Sequence, residues 1–136
     1  MARRAVAWLS WAVVPLAVLG YGLYLTLGLS SPRVSGPAAF SPDDAVWILG
    51  QMVYAIVGAV VASRRPELPI GWLFCVAGLL GLVEGIAARV AVHAFAGASW
   101  APEGGAAAWL SAAVSYPHQA LLVLGALLFP SGRPPS

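Results

Sequence analysis

Four long apolar runs joined by short, turn-rich connections make up nearly all of the chain. The first extends from Ala5 to Leu29 without a charge, the second from Ala45 to Ser63, the third from Ile70 to Ala94 and the fourth from Ala106 to Phe129. Each is close to the roughly 20 residues that cross a hydrocarbon core about 30 Å thick at 1.5 Å per residue. The runs do not alternate apolar and polar positions, as barrel strands would. The pattern predicts an all-α fold, a four-helix transmembrane bundle. It forms a single integral membrane domain over residues 1–136, with spans at 5–29, 45–63, 70–94 and 106–129.

Helix ends are written into the connections. Ser41-Pro42-Asp43-Asp44 offers an N-cap, a first-turn proline and a carboxylate three residues on, which opens the second span. Pro69 opens the third in the same way. The connection from Ser30 to Asp44 holds Pro32, Gly36, Pro37 and Pro42 and is too short for a folded external domain. Any external ligand would therefore meet the spans themselves. The first apolar run is far longer than the 7–15 residues or so of a signal-peptide core, so it reads as an uncleaved span. The chain carries no internal repeat.

Composition supports the membrane reading. Sixty per cent of the residues are hydrophobic and 9% are charged, against about 25% charged in soluble domains. Mean hydropathy is +0.85. This excludes a disordered tail, a disulfide scaffold and a nucleic-acid binder. The net charge of +2 rests on arginines scattered beside apolar runs, with no patch to hold phosphates. All seven basic residues are arginine and the chain has no asparagine, a bias that suggests a GC-rich, bacterial coding sequence. The lone Cys75 lies in an apolar stretch and offers neither a disulfide nor a multi-cysteine metal site.

The arginines also set an orientation. Arg3 and Arg4 precede the first span, Arg64 and Arg65 separate the second from the third, and Arg133 follows the fourth; the opposite connections hold Arg33 alone. The positive-inside rule then puts both termini in the cytoplasm, N-in and C-in, in a bacterial plasma membrane. Trp8, Trp11, Trp47, Trp72, Trp100 and Trp109 lie near span ends, where an indole suits the interface.

Charges within a span are costly, about 2.5–3.5 kcal/mol at the helix centre on insertion scales. Glu84 and Arg89 are therefore the first candidates for function. Glu84 sits about 21 Å along the third span, and Arg89 lies further out, within reach of the outer headgroups by snorkelling. Their five-residue spacing sets them about 140° apart, so they form no i,i+4 pair, although pairing across a turn is one way to satisfy Glu84. Arg89 and His93 share a face with Ala77, Gly81 and Gly85. The Gly81/Gly85 GxxxG makes that face a helix-packing seam, with dimerisation of two copies as the alternative. Gln51, Tyr54, Tyr21, Tyr24, Ser111, Ser115 and His118 lie at similar depth on the other spans. Pro117 beside His118 frees a carbonyl near Ala113. The group reads either as satisfied bundle contacts or as the lining of an outward-facing cavity for a small ligand or a proton.

Enzyme chemistry finds no support in the residues. There is no paired-carboxylate arrangement, no HExxH and no phosphate loop, and the two histidines fall on different spans. No catalytic residue, metal site or cofactor is expected. Nor do four spans with two charges supply a repeated pore lining.

Two cytoplasmic pieces are more distinctive than the spans. One is Ala62-Ser63-Arg64-Arg65-Pro66-Glu67-Leu68-Pro69-Ile70-Gly71-Trp72-Leu73-Phe74; the other is Leu127-Leu128-Phe129-Pro130-Ser131-Gly132-Arg133-Pro134-Pro135-Ser136. Together they resemble the N-terminal membrane region of actinobacterial sensor histidine kinases and of related, uncharacterised multi-span membrane proteins. Those proteins show RRPxNPIGWL between two spans and LFPDGRLPS after a later one. The resemblance covers residues 46 to 136, with Leu68 in place of the usual Asn and Ser131 in place of the usual Asp. It implies a two-component signal-transduction context, in which further spans and a kinase core would follow. This chain stops inside the second motif, so no kinase residue carries over.

The pieces also make physical sense alone. Arg64 and Arg65 sit beside anionic headgroups, Pro66 and Pro69 hold the chain extended and start a helix, and Gly71-Trp72 sets an indole at the interface. The expectation is a non-catalytic membrane module that resembles a sensor input region. The alternatives are a small membrane subunit bound to a transporter or other membrane protein, and proton or solute handling through Glu84. The lipid bilayer is the expected partner, with a second copy or another membrane protein as the alternatives; nucleic acid is not expected.

Overall fold

The computed structural model describes residues 2–31, 39–101 and 103–128, with side chains from Trp8 onward. Arg33, Arg133, the turn residues Pro32, Gly36 and Pro37, the side chains of Arg3 and Arg4, and the motif from Phe129 to Ser136 lie outside the described residues. Four helices follow in order: α1 Ala2–Leu29, α2 Pro42–Arg64, α3 Pro69–Phe95 and α4 Gly104–Leu128. No strand occurs among the described residues. All four helices are long and apolar enough to cross a membrane, as the four apolar runs predict. The fold is an all-α four-helix bundle of a multi-pass membrane protein.

The caps act as the sequence implies. Ser41 is extended (φ −120°, ψ 160°) and its hydroxyl accepts from the Asp44 N–H at 3.3 Å. The Ser41 N–H donates to Asp44 Oδ2 at 2.8 Å, which closes a capping box, and Pro42 fills the first turn. Arg64 ends α2. The Leu68 N–H then bonds the Arg65 carbonyl at 3.0 Å, making a tight turn into Pro69, the first residue of α3. At the other end α3 stops on Gly97. Its φ of 84° lets the Gly97 and Ala98 N–H groups reach back to Ala94 and His93 carbonyls.

α3 is the hub. It packs against the other three helices, α1 also lies on α2, and among the described residues the backbone of α4 packs on α3 alone. The α2–α3 contact is a backbone-to-backbone seam of small residues. A Cβ at Gly71 would come within 2.7 Å of the Ala62 nitrogen, and one at Gly58 would strike the Cys75 nitrogen. Gly81 and Gly85 belong to the same seam: Gly81 seats the Gln51 side chain, and Gly85 faces Ile48, Tyr24 and Trp47. The GxxxG face is thus used inside the bundle, with Ala77, Gly81, Gly85, Arg89 and His93 all buried along it.

α1 contributes Ser10, Val13, Ala17, Tyr24 and Gly28, one stripe at helical spacing, while Leu16, Leu19 and Leu23 face outward. α4 buries Ala107, His118 and Gly125 and leaves Trp109, Tyr116, Val123 and Leu127 outside. Such apolar exteriors are what lipid contact requires.

Candidate functional site

Two polar clusters link the helices, and a cavity lies beside both. The first surrounds Arg89. Its Nη2 is 2.8 Å from Asp44 Oδ2, and its Nε donates to the Tyr24 hydroxyl at 3.3 Å. The guanidinium also lies over the rings of Tyr24 (5.5 Å) and Phe40 (5.1 Å). Arg89 is 6% exposed. This corrects two expectations. Arg89 does not snorkel, and its carboxylate partner is Asp44 rather than Glu84. Antiparallel packing of α2 and α3 explains the pairing. Asp44 lies in the first turn of α2, and Arg89 lies six residues before the end of α3. The long arginine side chain spans the remaining difference in depth. Asp44, read in sequence only as a cap, thus both closes the box and neutralises the guanidinium.

The second cluster lies deeper. His118 Nδ1 is 2.8 Å from Glu84 Oε2, and His118 Nε2 is 2.9 Å from Gln51 Oε1. One imidazole therefore joins α4 to α3 and to α2. Trp47 stands edge-on to that ring, with centroids 6.3 Å apart at 78°. His118 is buried because α4 turns its single stripe of contact residues onto α3 at this level.

The hydrogen-bond pattern ties the proton count to the direction of the Gln51 amide. With Gln51 Oε1 as acceptor, Nε2 must carry a proton and donate it. The Nδ1–Oε2 contact then holds one further proton, as imidazolium with carboxylate or as imidazole with carboxylic acid. Turning the Gln51 amide by 180° presents its NH₂ to Nε2, and the pair then holds one proton fewer. The trio thus has two settings, which differ by one proton and by the direction of one amide.

Between the clusters lies a cavity of about 260 Å³, walled by Tyr24, Asp44, Trp47, Glu84, Arg89 and Ser111 among others. A second cavity of about 380 Å³ shares Glu84, Ala88, Val92 and Ser111 with it and continues along α3 and α4 over Phe95, Ala108 and Ser115.

Some predicted members fall elsewhere. Tyr54 is not brought to Glu84. Three residues beyond Gln51 is 300° around the helix, and its ring meets Phe74 edge-to-face, centroids 5.6 Å apart, beside an apolar groove. His93 is buried, but at the end of α3. Its Nδ1–H donates to the Arg89 carbonyl at 2.9 Å, its ring lies 5.1 Å from Trp100, and Nε2 has no partner among the described residues. Ser115 stays on the wall of the second cavity, where its hydroxyl accepts from the Gln119 amide at 3.3 Å. Arg64 and Arg65 are exposed at the α2–α3 turn with Pro66 and Pro69, Gly71 is buried against Ala62, and Trp72 is half-buried. Among the described residues no group of three or more metal-ligating side chains occurs.

No family model, no curated protein and no solved structure matches this chain. Function must be argued from the site.

Proposed function

We propose that the chain is a non-catalytic membrane input module, in which occupancy or protonation of the Glu84–His118–Gln51 site sets the position of α4 against α2. The observation that carries this reading is the His118 bridge, at 2.8 Å to Glu84 and 2.9 Å to Gln51. A helix whose backbone rests on one neighbour, and whose polar tie to a second runs through one titratable ring, is suited to two arrangements. In this reading both termini are cytoplasmic, the Asp44–Arg89 end faces outward, and the membrane is the bacterial plasma membrane. The helix ends near Arg64 and Leu128 then report the change. The Arg64–Trp72 resemblance to the membrane region of sensor histidine kinases supports that use, with kinase chemistry supplied by a domain beyond these spans.

A second observation favours sensing over transport. Between the trio and the Arg64–Arg65 turn, the buried residues of α2 are Ala55, Gly58, Ala59 and Ala62 and those of α3 are Ile70, Gly71, Cys75, Ala77 and Gly78, with no carboxylate, imidazole or amide among them. Among these α2 and α3 residues a proton or solute that reaches Glu84 from the cavity meets no ionisable side chain onward.

Distances between spin labels test the reading. With Cys75→Ala as background, labels at Ser63→Cys and Leu127→Cys report the inner ends of α2 and α4. Glu84→Gln should shift their distance distribution by more than its own width. A distribution indifferent to Glu84→Gln and to His118→Leu would rule the reading out.

A further inference from the structure

At the polar wall of the cavity between the two clusters, Arg89 and His118 already hold partners. The Arg89 guanidinium is engaged by Asp44 Oδ2 and the Tyr24 hydroxyl. Both His118 nitrogens are taken up by Glu84 Oε2 and Gln51 Oε1. The acceptors of that wall are not all taken up. Asp44 makes its contacts to Ser41 and Arg89 through Oδ2, and Glu84 meets His118 through Oε2. Glu84 Oε1 and Asp44 Oδ1 have no hydrogen-bond partner among the described residues. The same cavity holds the indole of Trp47, the ring that attracts cations most strongly through its face. A site with surplus carboxylate oxygen and an aromatic wall selects a donor that is also positively charged. An anion would instead be set against the oxygens of two carboxylates, Asp44 and Glu84. The adjoining cavity is walled largely by Ala88, Ala91, Val92, Phe95, Ala108 and Ala112, which suits a compact apolar body attached to the charged group.

We infer that this cavity binds a primary ammonium compound with a small apolar body, its ammonium between Glu84 and Trp47 and its body along the α3–α4 groove. The inference rests on the proposed input function, whose signal it names. Two sources carry this chemistry, a free amine and the ammonium headgroup of a lipid.

The test is calorimetric titration of the full chain in nanodiscs of phosphatidylglycerol, which has no amine headgroup. Benzylammonium is the probe, with benzyl alcohol and benzoate as controls and empty nanodiscs as blank. Saturable binding of benzylammonium, and of neither control, is expected. Glu84→Gln should weaken it by about tenfold or more, the difference between a charge-assisted and a neutral hydrogen bond. Ser111→Leu, which leaves the Glu84–His118–Gln51 contacts in place and fills the wall, should weaken it as well. Equal binding of benzyl alcohol, or undiminished binding by either variant, would overturn the inference. Competition by added phosphatidylethanolamine would identify the lipid headgroup as the source, and its absence a free amine. The spin-label distances separate the two readings. Amine binding that leaves them unchanged rejects the input function alone. A shift on Glu84→Gln without amine binding rejects the ligand alone.

Discussion

Arg89 shows how one side chain can be tied into three helices. Its charge is matched by Asp44 on α2, its Nε is held by Tyr24 on α1, and its plane lies over two aromatic rings. Removing one partner of a buried ion pair strands the other, at about 3–5 kcal/mol in soluble proteins. Asp44 keeps a third of its side chain exposed, so a smaller loss applies. Arg89→Leu should destabilise the bundle by about 2–3 kcal/mol, and Asp44→Asn combined with Arg89→Leu should cost less than the sum of the two single changes. Unfolding titrations in mixed detergent micelles would measure both; strict additivity would mean that the pair is not coupled. Arg89→Lys should not restore wild-type stability, because an ammonium lacks the Nε–H that Tyr24 accepts and the plane that stacks.

The helices themselves follow from features local in sequence. Length, apolar content, the Ser41–Asp44 capping box and Pro69 define where α2 and α3 start, and each acts over a few residues. The close approach of α2 to α3 is legible only in part, as the Gly81/Gly85 pair; Gly58, Gly71 and Gly78 join the seam once the helices are packed. A Cβ at Gly78 would lie 2.8 Å from the Ala55 Cβ and 2.6 Å from the Gln51 carbonyl, whereas one at Gly50 meets nothing within 4 Å. Gly78→Ala should therefore destabilise the bundle by about 1–3 kcal/mol, as overpacking does, while Gly50→Ala should be neutral or mildly stabilising. Thermal unfolding in detergent distinguishes the two, and equal midpoints would refute the seam.

The polar site was harder to read for a physical reason. Which carboxylate meets Arg89, and which partners His118 finds, depend on the depth and rotation of packed helices, not on spacing within one helix. Glu84 stands out because a charge is conspicuous in an apolar span. Asp44 and Trp47 were readable only as a cap and an interfacial anchor. Their second roles appear once α2 and α3 lie antiparallel. Tyr54 shares an approximate depth with Gln51 but points off the seam, so depth alone misplaces it.

At the scale of the molecule, α4 is the least enclosed helix on the hub, and its burial is concentrated at Ala107, His118 and Gly125. The proposed orientation makes a prediction of its own. In a Cys75→Ala background, Ser99→Cys in the α3–α4 connection should react with a membrane-impermeant maleimide on intact cells. Glu67→Cys in the α2–α3 turn should react only after the cells are opened. The reverse pattern would invert the bundle and turn the Asp44–Arg89 end toward the cytoplasm.

Both the input function and its ligand depend on His118 holding α4 to Glu84 and Gln51 within the bilayer. Side-chain ¹⁵N magnetic resonance of the imidazoles in lipid reads that bridge directly. Both His118 nitrogens should carry hydrogen-bonded signatures, with Glu84→Gln moving the Nδ1 resonance and Gln51→Leu moving Nε2. A His118 spectrum unchanged by either substitution would mean that the bridge does not exist in the membrane.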